Sequence, residues 1–431
     1  MAAGLGTRMK SAVPKHFHEL LGRRMVDWVL EAGRGVGADP LVVIASPAAR
    51  ERFEGHEVAV QQEPKGTGDA VRAARAAIEG RAENVLVLSG DTPLLTSALL
   101  EQLVETHRRE GAAATILSAV PADPRAYGRI IRNASGHVLR IAEGRDATVE
   151  ELEVGEINSS IYVFRDDALW LLLDRLEPHN VQGELYLTDV IGLLVEAGET
   201  VAAHIASDPR ETDGVNTRAE LAAAAAVLRD RINEAHMLAG VTILDPATTW
   251  IDPTVELEAD AIVHPFTVLR GRTKVAAGAE IHAQTVAIDA EIGTGATVGP
   301  FCYLRPGSVL EPDAKAGTYV EIKNSRIARG AKVPHLSYIG DAEIGEGTNI
   351  GAGAITANYR PEIGPGKQRT TVGSNVRTGS DNVFMAPVTI GDGAVVAAGS
   401  VVTEDVPPGA LAIARSRQVT KEGYAERKRS D

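Results

Sequence analysis

A six-residue repeat fills most of the second half of the 431-residue chain and restricts the possible folds more than any other feature. Its members are mostly aliphatic, and with short slips they form this series: Ile251, Leu257, Val263, Leu269, Val275, Ile281; Ile292, Val298, Leu304, Leu310, Ala316, Ile322; Ile327, Val333, Ile339; Ile344, Ile350; Val372, Thr378, Phe384, Ile390, Val396, Val402. A period of six fits neither an amphipathic helix nor an alternating strand, but it is typical of a parallel β-helix with three hexapeptides per coil. We predict that this series fills the lumen. The alternative, a β-sandwich with accidental spacing, leaves the length of the series unexplained.

Glycine often follows the aliphatic residue of the repeat, as in Ile344-Gly345 and Ile350-Gly351. Glycine has no Cβ and tolerates positive φ, so these positions are predicted to be tight corners. The repeat is interrupted from 356 to 371 by a segment with two prolines and two glycines. That segment is predicted to be a loop that leaves the coil.

The first half of the chain has a different pattern. Residues 1–217 contain short apolar runs separated by helical patterns, which predicts an α/β domain: a doubly wound, Rossmann-like, mostly parallel sheet with helices on both faces. Thr217 and Glu220 have the spacing of a capping box, and Gly240 is a plausible stop, so 218–240 is predicted to be one linker helix. The predicted domains are therefore 1–217, the linker 218–240, and a β-helix domain with a C-terminal tail at 241–431.

Composition excludes several classes of protein. The net charge of −14 argues against nucleic-acid binding. No apolar run is long enough for a membrane span, and the sequence shows no signal-peptide pattern. Cys302 is the only cysteine, which excludes an intrachain disulfide and a multi-cysteine zinc site. We therefore expect a cytoplasmic protein.

The start of the chain has the composition of a phosphate-binding turn. It runs Ala2-Ala3-Gly4-Leu5-Gly6-Thr7-Arg8-Met9-Lys10, and Lys15 follows. Glycines let backbone N–H groups approach phosphate oxygens, and the cations neutralise charge. The string is neither a Walker A motif nor a dinucleotide fingerprint, and an ordinary tight turn is the alternative.

A candidate magnesium pair lies further along the chain. Asp91 follows the apolar run 85–88, so it is predicted to lie at the carboxyl end of a buried strand, where α/β sheets bind ligands. With the amide oxygen of Asn216 it would supply two of the oxygen ligands that Mg²⁺ prefers. A turn or helix-cap role is the alternative for both residues.

These strings together resemble a known family. The opening motif resembles the signature of sugar-phosphate nucleotidyltransferases, and further matching segments are Gln61 with Gly66-Thr67-Gly68, Ser89-Gly90-Asp91, Tyr127-Gly128-Arg129, Glu143, Glu156-Ile157-Asn158 and Gly214-Val215-Asn216. Combined with the hexapeptide repeat, nearly the whole chain resembles the bifunctional UDP-N-acetylglucosamine pyrophosphorylases/glucosamine-1-phosphate N-acetyltransferases. The resemblance implies a left-handed β-helix, a homotrimer, Mg²⁺ as cofactor, and UTP, acetyl-CoA, glucosamine-1-phosphate and N-acetylglucosamine-1-phosphate as small-molecule substrates.

The resemblance also implies roles for individual residues. In the first half, Arg8 and Lys15 would be catalytic, and Asp91 and Asn216 would bind the metal. The nucleotide would be bound by Ala2, Ala3, Gly4, Lys10, Gln61, Gly66 and Thr67, and the sugar phosphate by Gly128, Glu143, Asn158 and, in addition, Thr188. Glu143 as an unremarkable surface carboxylate is the alternative for that position.

In the β-helix, His335 would be the catalytic base. Histidine titrates in the range needed to take a proton from an amine substrate, although a lone histidine on a coil is more often structural. The resemblance assigns the sugar phosphate to Arg305, Lys323, Tyr338 and Asn349, and acetyl-CoA to Asn358, Tyr359, Ser380, Ala398 and Arg415; Asn358 would also help to orient the sugar.

Three features depart from the family pattern. Family members have an apolar strand before the glycine turn, so a chain starting at Met1 is expected to lack a central strand, and we hypothesise a start assigned too late. Asn358-Tyr359-Arg360-Pro361 stands where Asn-Tyr-Asp-Gly is usual, before a longer loop that leaves the role of Lys367 open. Asp69 replaces a usual histidine.

Other functions remain as alternatives. One is a single-activity sugar-phosphate nucleotidyltransferase with a structural β-helix, and another is a non-catalytic assembly subunit. A metal-dependent β-helix hydratase would need converging histidines, and we expect His264, His282 and His335 to lie too far apart along the coil.

Overall fold

The computed structural model describes residues 1–4, 6–124 and 126–427. Contacts divide the chain into two compact units, Met1–Leu228 and Arg229–Asp431, and the division falls within one long helix, Arg218–Leu238. The side chain of Thr217 accepts a hydrogen bond from the Glu220 amide, and the Glu220 carboxylate accepts one from the Thr217 amide, so the predicted capping box starts this helix. The domain boundaries at 217 and 241 remain predictions.

The first unit alternates short strands and helices. Its helices are α1 (Met25–Gly35), α2 (Thr67–Ala73), α3 (Arg75–Ile78), α4 (Ser97–Glu110), α5 (Val149–Leu152), α6 (Asp166–Leu173) and α7 (Asp189–Glu196), and α8 is the long helix Arg218–Leu238. Its strands are β1 (Glu19–Leu20), β2 (Arg23–Arg24), β3 (Val42–Ala45), β4 (Glu57–Val60), β5 (Asn84–Val87), β6 (Ala114–Ala119), β7 (Arg129–Arg132), β8 (Val138–Ala142), β9 (Ile157–Arg165) and β10 (Val201–Ile205).

The larger sheet of this unit is mixed, with strand order β10-β6-β9-β7-β8 and β5 also paired with β9. β10 and β6 are parallel, whereas β9 runs antiparallel to β5, β6 and β7, and β7 runs antiparallel to β8. The prediction that the sheet is mostly parallel is therefore wrong for this sheet. Alternate residues face opposite sides, since Ile116 packs in a core with α6 and α7 whereas Leu117 packs in a core with α1 and α4. Helices therefore cover both faces, as predicted.

A gap separates β3 from β5. β3 and β4 form a parallel pair of their own, and a cavity of about 330 Å³ lies between β3 and β5. Only the first residues cross one end of it: the Ala2 amide donates to the Ile44 carbonyl (2.7 Å), and the Met1 ammonium donates to the Leu88 carbonyl (2.7 Å). This agrees with the expectation that the sheet lacks a central strand.

The second unit is a left-handed parallel β-helix with three faces. The first face contains β11 (Thr242–Ile243), β14 (Ile262–Val263), β17 (Glu280–Ile281), β20 (Thr297–Val298), β23 (Lys315–Thr318), β26 (Lys332–His335), β31 (Arg377–Thr378), β34 (Val395–Val396) and β36 (Leu411–Ala412). The second contains β12 (Trp250–Ile251), β15 (Val268–Arg270), β18 (Val286–Ile288), β21 (Tyr303–Leu304), β24 (Glu321–Lys323), β27 (Tyr338–Gly340), β29 (Ile355–Ala357), β32 (Val383–Met385) and β35 (Val401–Val402). The third contains β13 (Glu256–Leu257), β16 (Lys274–Val275), β19 (Glu291–Ile292), β22 (Val309–Leu310), β25 (Arg326–Ile327), β28 (Ala342–Ile344), β30 (Thr370–Val372) and β33 (Val388–Ile390). A short helix, α9 (Tyr424–Arg427), follows.

The predicted lumen residues are buried, except for half-buried Leu257, and the hydrophobic ones form one continuous core. Thr378 is a buried polar member of the series. The glycines that follow the repeat residues have a different role from the predicted one, because positive φ occurs two residues later, at Gly347 and Gly353, and not at Gly345 or Gly351. A Cβ on Gly345 would lie 2.4 Å from the carbonyl carbon of Gly373, and one on Gly351 would lie 2.2 Å from the Gly379 carbonyl oxygen. These two glycines permit close approach of the next coil.

The predicted loop leaves the coil between β29 and β30. A bridge between Tyr359 and Lys367 closes it, and the Lys367 ammonium lies 4.5 Å from the centre of the Tyr359 ring. The contacts between Tyr359 and Lys367 therefore join the two ends of the loop. No described helix is both long and apolar enough to cross a membrane.

One sequence prediction about the β-helix is wrong. His264 and His282 are not scattered: they lie on neighbouring coils of the first face with ring centres 4.9 Å apart. The spacing of 18 residues is one full coil, so the ladder brings the two rings together. His335 is not part of this group.

Candidate active sites

A cation–carboxylate cluster forms below the glycine turn of the first unit. Gly6 has φ +63°, and a Cβ there would lie 2.4 Å from the Cβ of Lys15, so only glycine lets this turn pack against Lys15. The buried Lys15 ammonium contacts Asp91 and lies 2.7 Å from Oδ1 of Asn216. The Arg8 guanidinium donates to the same Asn216 oxygen at 2.7 Å. The structure thus brings together the two predicted catalytic cations and the two predicted metal ligands.

The electrostatics keep Asp91 ionised. Burial by itself would raise the pKa of Asp91, but the Lys15 ammonium and a hydrogen bond from Ser89 hold it below its ordinary value. Burial lowers the pKa of neighbouring His16 to about 4, so this imidazole is neutral near pH 7. The carboxylate and the Asn216 amide oxygen converge on one cation, here the Lys15 ammonium, and this donor set fits Mg²⁺.

The predicted sugar-binding residues also converge. Oε1 of Glu143 accepts a hydrogen bond from the Thr188 hydroxyl (2.9 Å), and burial raises the pKa of Glu143 although this hydrogen bond opposes the shift. A Cβ on Gly128 would lie 3.5 Å from Oε2 of Glu143, and the Gly128 carbonyl accepts from the Asn158 amide at 2.9 Å. The side chain of Asn158 donates to the Tyr162 hydroxyl. The half-buried Glu143 carboxylate is therefore not the surface group of the alternative interpretation.

The predicted base-reading segment is held by Asp69. The Gln61 amide nitrogen donates to the Gly66 carbonyl (3.1 Å) and to the Asp69 carboxylate (2.9 Å). The Thr67 hydroxyl accepts from the Leu187 amide, next to Thr188. The departure from the family pattern at position 69 thus introduces an acceptor that fixes the Gln61 side chain.

The other nucleotide-binding candidates have varied surroundings. Ala2 is buried and paired with Ala45, Ala3 is half-buried, and Gly4 and Lys10 are exposed on either side of the turn. Lys10 has φ +47° at the end of the Thr7–Met9 turn. Tertiary contacts hold the start of the chain near the cluster: the Gly90 amide donates to the Met1 carbonyl (2.8 Å), and a Cβ on Gly4 would lie 4.0 Å from the His16 ring.

A second cluster of polar residues forms on the second face of the β-helix. Tyr338 and Asn358 are joined by a hydrogen bond (3.2 Å), and Arg305 pairs with Glu321 (2.9 Å). Strand register pairs Glu321 with Tyr338 and Lys323 with Gly340 on the next coil. Four predicted sugar or acetyl-CoA residues therefore share one face.

Sequence reasoning missed Asp341, which organises this cluster. It is buried, and its two carboxylate oxygens accept from the side-chain amides of Asn324 and Asn358, each at 2.6 Å, with Lys323 Nζ at 3.9 Å. It has φ +52°, at a corner of the coil. The signal was its spacing of one coil from both asparagines.

Gly340 makes room for this arrangement. A Cβ on Gly340 would lie 2.3 Å from the Tyr338 hydroxyl and 2.7 Å from the Asn358 amide nitrogen. The Tyr338 ring can therefore reach Asn358 only because residue 340 has no side chain.

His335 ends β26 on the first face with its side chain exposed, three residues before Tyr338. Asn349 is also on the first face, one coil beyond Lys332, so it is not part of the second-face cluster. Ser380 and Ala398 are exposed just after β31 and β34, where the coils are so close that a Cβ on Gly379 would lie 2.8 Å from the Ala398 Cβ. Arg415 reaches back to Gly399, and Tyr359 is in the loop.

Comparisons with known proteins agree with both halves. The MobA-like NTP transferase domain family matches residues 1–153, and the bacterial transferase hexapeptide (six repeats) family matches residues 369–404. The "Bifunctional protein GlmU" of Streptomyces avermitilis is 50% identical, with 100% of this chain and 94% of that protein aligned. The proteins of the same name from Mycolicibacterium gilvum and Mycobacterium tuberculosis are each 46% identical, with 100% of this chain and 91% and 92% of those proteins aligned. The chain therefore belongs to the GlmU family and is a bifunctional enzyme with a nucleotidyltransferase unit and a hexapeptide acyltransferase unit.

Proposed function

We propose that this enzyme makes UDP-N-acetylglucosamine in two steps: acetylation of glucosamine-1-phosphate by acetyl-CoA, then uridylyl transfer from UTP with release of pyrophosphate. The observation that carries the proposal is the pairing of two clusters on one chain. A glycine turn lies over Lys15, Arg8 and an ionised carboxylate, and a separate β-helix face holds Arg305, Lys323 and Tyr338 near the end of the strand that contains His335.

In the acetyl-transfer step, Arg305 and Lys323 bind the phosphate of the amino sugar, while Tyr338 and Asn358, held by Asp341, orient its ring. His335 takes a proton from the sugar amine as the nitrogen lone pair attacks the thioester carbonyl. The C–S bond then breaks, and the proton held by His335 passes to the departing sulfur, so that coenzyme A leaves as the thiol. The exposed, small Ser380 and Ala398 leave room for the coenzyme arm, and Arg415 offers a cation for its phosphates.

In the uridylyl-transfer step, Glu143, Thr188 and Asn158 bind the sugar while Gln61 binds the base. A phosphate oxygen of the sugar attacks the α-phosphorus of UTP, and the bond to pyrophosphate breaks. Arg8 and Lys15 neutralise the charge that develops on the transferred phosphate. Asp91 and Asn216 would hold Mg²⁺, which adds positive charge beside the phosphates when bound. Lys15 then exchanges its contacts with Asp91 and Asn216 for contacts with phosphate oxygens.

We also propose a homotrimer in the cytoplasm. An exposed, mostly apolar ridge supports the trimer: Phe266, Phe301, Tyr319 and Leu336 follow strands of the first face, with the polar Gln284 at the equivalent position between Phe266 and Phe301. The Phe301 and Tyr319 rings stack with centres 5.0 Å apart. Such a ridge suits a contact with a second copy of the β-helix. Sedimentation should then give three times the chain mass of 45.4 kDa, and Phe301→Asp should lower it.

The test of the function combines substrates and two variants. Purified enzyme receives glucosamine-1-phosphate, acetyl-CoA, UTP and Mg²⁺, and UDP-N-acetylglucosamine should form only when all four are present. His335→Ala should abolish coenzyme A release and retain uridylyl transfer to N-acetylglucosamine-1-phosphate, and Asp91→Asn should do the reverse. Formation of the product without acetyl-CoA, or loss of both activities in His335→Ala with an unchanged melting temperature, would contradict the proposal.

A further inference from the structure

We infer that the β-helix holds a divalent transition-metal site, outside both proposed active sites, made by His264, Glu280 and His282. One ligand atom from each residue lies within 4.8 Å of the other two. Nε2 of His264 is 2.7 Å from Oε1 of Glu280, and Nδ1 of His282 is 3.7 Å from the same oxygen. Two imidazoles and a carboxylate are the ligand types that Zn²⁺ and its neighbours in the first transition row prefer.

The coil geometry fixes the three side chains on one outer surface. Ile281 points into the lumen, so its neighbours Glu280 and His282 both point outward. The pairing of Val263 with Ile281 then puts His264 directly beside His282 on the neighbouring coil. Backbone hydrogen bonds from the His264 amide to the Ile281 carbonyl (2.9 Å) and from the His282 amide to the Val298 carbonyl (2.8 Å) hold both rungs. The backbone is thus organised before a metal arrives.

The distances between the ligand atoms are close to those of a metal site, so small side-chain rotations would bring them into position. Metal–ligand bonds of about 2.0–2.2 Å in a tetrahedron place ligand atoms about 3.3–3.6 Å apart. The two distances to the Glu280 oxygen, 2.7 and 3.7 Å, bracket that value. All three side chains are half-buried, so an ion can enter from solvent and keep a water or another ligand at its fourth position.

The Glu280 carboxylate forms its ion pairs with the two histidines. On other coils, Glu256 pairs with Lys274 and Glu321 pairs with Arg305. Among the described residues, the ion pairs of Glu280 are with His264 and His282 and with no lysine or arginine. On the next coil the position beside His282 is Gly299, where a Cβ would lie 3.3 Å from the His282 Cβ, so residue 299 contributes no side chain beside His282.

Such a site would join neighbouring coils near the start of the β-helix and raise its stability when loaded, because the ion binds the folded ladder better than the unfolded chain. None of its ligands has a role in the two proposed reactions. The metal-site inference can therefore be right or wrong independently of the proposed function.

The test uses the full-length enzyme stripped with EDTA and kept in excess Mg²⁺, which fills oxygen-rich sites. Co²⁺ is titrated as a spectroscopic probe, followed by Zn²⁺ in competition. We expect about one Co²⁺ per chain with the visible absorption of a four-coordinate nitrogen/oxygen site, its displacement by Zn²⁺, and a higher melting temperature with Zn²⁺.

Variants separate this site from adventitious binding. His264→Gln and His282→Gln should each weaken Co²⁺ binding about 100-fold or more, since loss of an outer-shell partner alone costs about 10–100-fold. His179→Gln is the matched control, because His179 also contacts a carboxylate, Glu177, but has no second histidine in its group. Melting temperatures in EDTA show that each variant folds. Absence of Co²⁺ binding by the unmodified enzyme, or equal affinity in all three variants, would overturn the inference and leave a hydrogen-bonded His–Glu–His group only.

Discussion

The glycine turn of the first unit gives a sharp test, because its two glycines are in different environments. At Gly6 the backbone has φ +63° and a Cβ would lie 2.4 Å from the Lys15 Cβ. At Gly4 the nearest atom to such a Cβ is 4.0 Å away, and the residue is exposed. We therefore compare Gly6→Ala with Gly4→Ala, two changes that add the same methyl group four residues or fewer from Arg8.

The magnitude follows from the geometry. Ordinary contact between two such carbons begins near 3.5 Å, so the turn and Lys15 must separate by about 1 Å. A left-handed conformation at a residue with a Cβ costs about 1–2 kcal/mol more in stability. A displacement of about 1 Å at a reacting centre costs about 100-fold in rate, or about 2.7 kcal/mol. Gly6→Ala should thus lower kcat/KM for uridylyl transfer about 100-fold.

The assay measures pyrophosphate release for uridylyl transfer and coenzyme A release for acetyl transfer in the same preparation. Acetyl transfer should be unchanged in both variants. Gly4 is a proposed nucleotide contact, so Gly4→Ala should affect uridylyl transfer through KM for UTP, but kcat should stay within about threefold because the added methyl group displaces no atom of Lys15. If Gly6→Ala retains full uridylyl transfer, or if the two variants lose it equally, the packing of the turn against Lys15 does not position the catalytic cations.

Four further outcomes are expected. The pKa of buried His16 is lowered to about 4, so the unfolded chain binds the proton more tightly and stability falls as the pH drops from about 6.5 towards 4; His16→Gln should flatten this acid limb in urea unfolding. Thr188→Val removes a hydrogen bond that lowers the pKa of Glu143, so this carboxyl becomes neutral at a higher pH and the acid-side increase in KM for N-acetylglucosamine-1-phosphate should shift to higher pH. Asp341→Ala leaves the Asn324 and Asn358 amides without their acceptor and should raise KM for glucosamine-1-phosphate about 10–100-fold, with uridylyl transfer as the unaffected control. Phe384→Ala should cost about 3–5 kcal/mol in the free energy of unfolding, because this ring fills the lumen; a loss below about 1 kcal/mol would mean that the lumen is loosely packed there.

Much of the fold could be predicted from the sequence because it depends on local periodicity. A six-residue period allows one inward residue per side of a coil, so Ile281, Val298 and Val333 were assigned to the lumen from spacing alone, and all three are fully buried. The capping box at Thr217 and Glu220 is likewise a contact between near neighbours in sequence. Local pattern singled out Arg8 and Lys15 beside a glycine turn and Asp91 after a buried strand, but their joint role with Asn216 came from the resemblance, since no local rule connects positions so far apart.

The tertiary structure decided which outward residues meet. Lys15 and Asp91 are 76 residues apart, and only the folded sheet brings the ammonium to the carboxylate. On the β-helix, outward side chains have neighbours one coil away, and the slips in the repeat change that distance between 17 and 18 residues. For that reason Asp341 was overlooked beside Asn324 and Asn358, each 17 residues away. His264 and His282 are a regular 18 residues apart, so three hexapeptides per coil already imply that they are neighbours, and the expectation that they lie far apart was wrong without any slip in the repeat. The sequence by itself determined which residues fill the lumen, because burial follows a period along the chain. Which outward side chains become neighbours was decided by the register between coils, and that register is set only when the strands of the β-helix have paired.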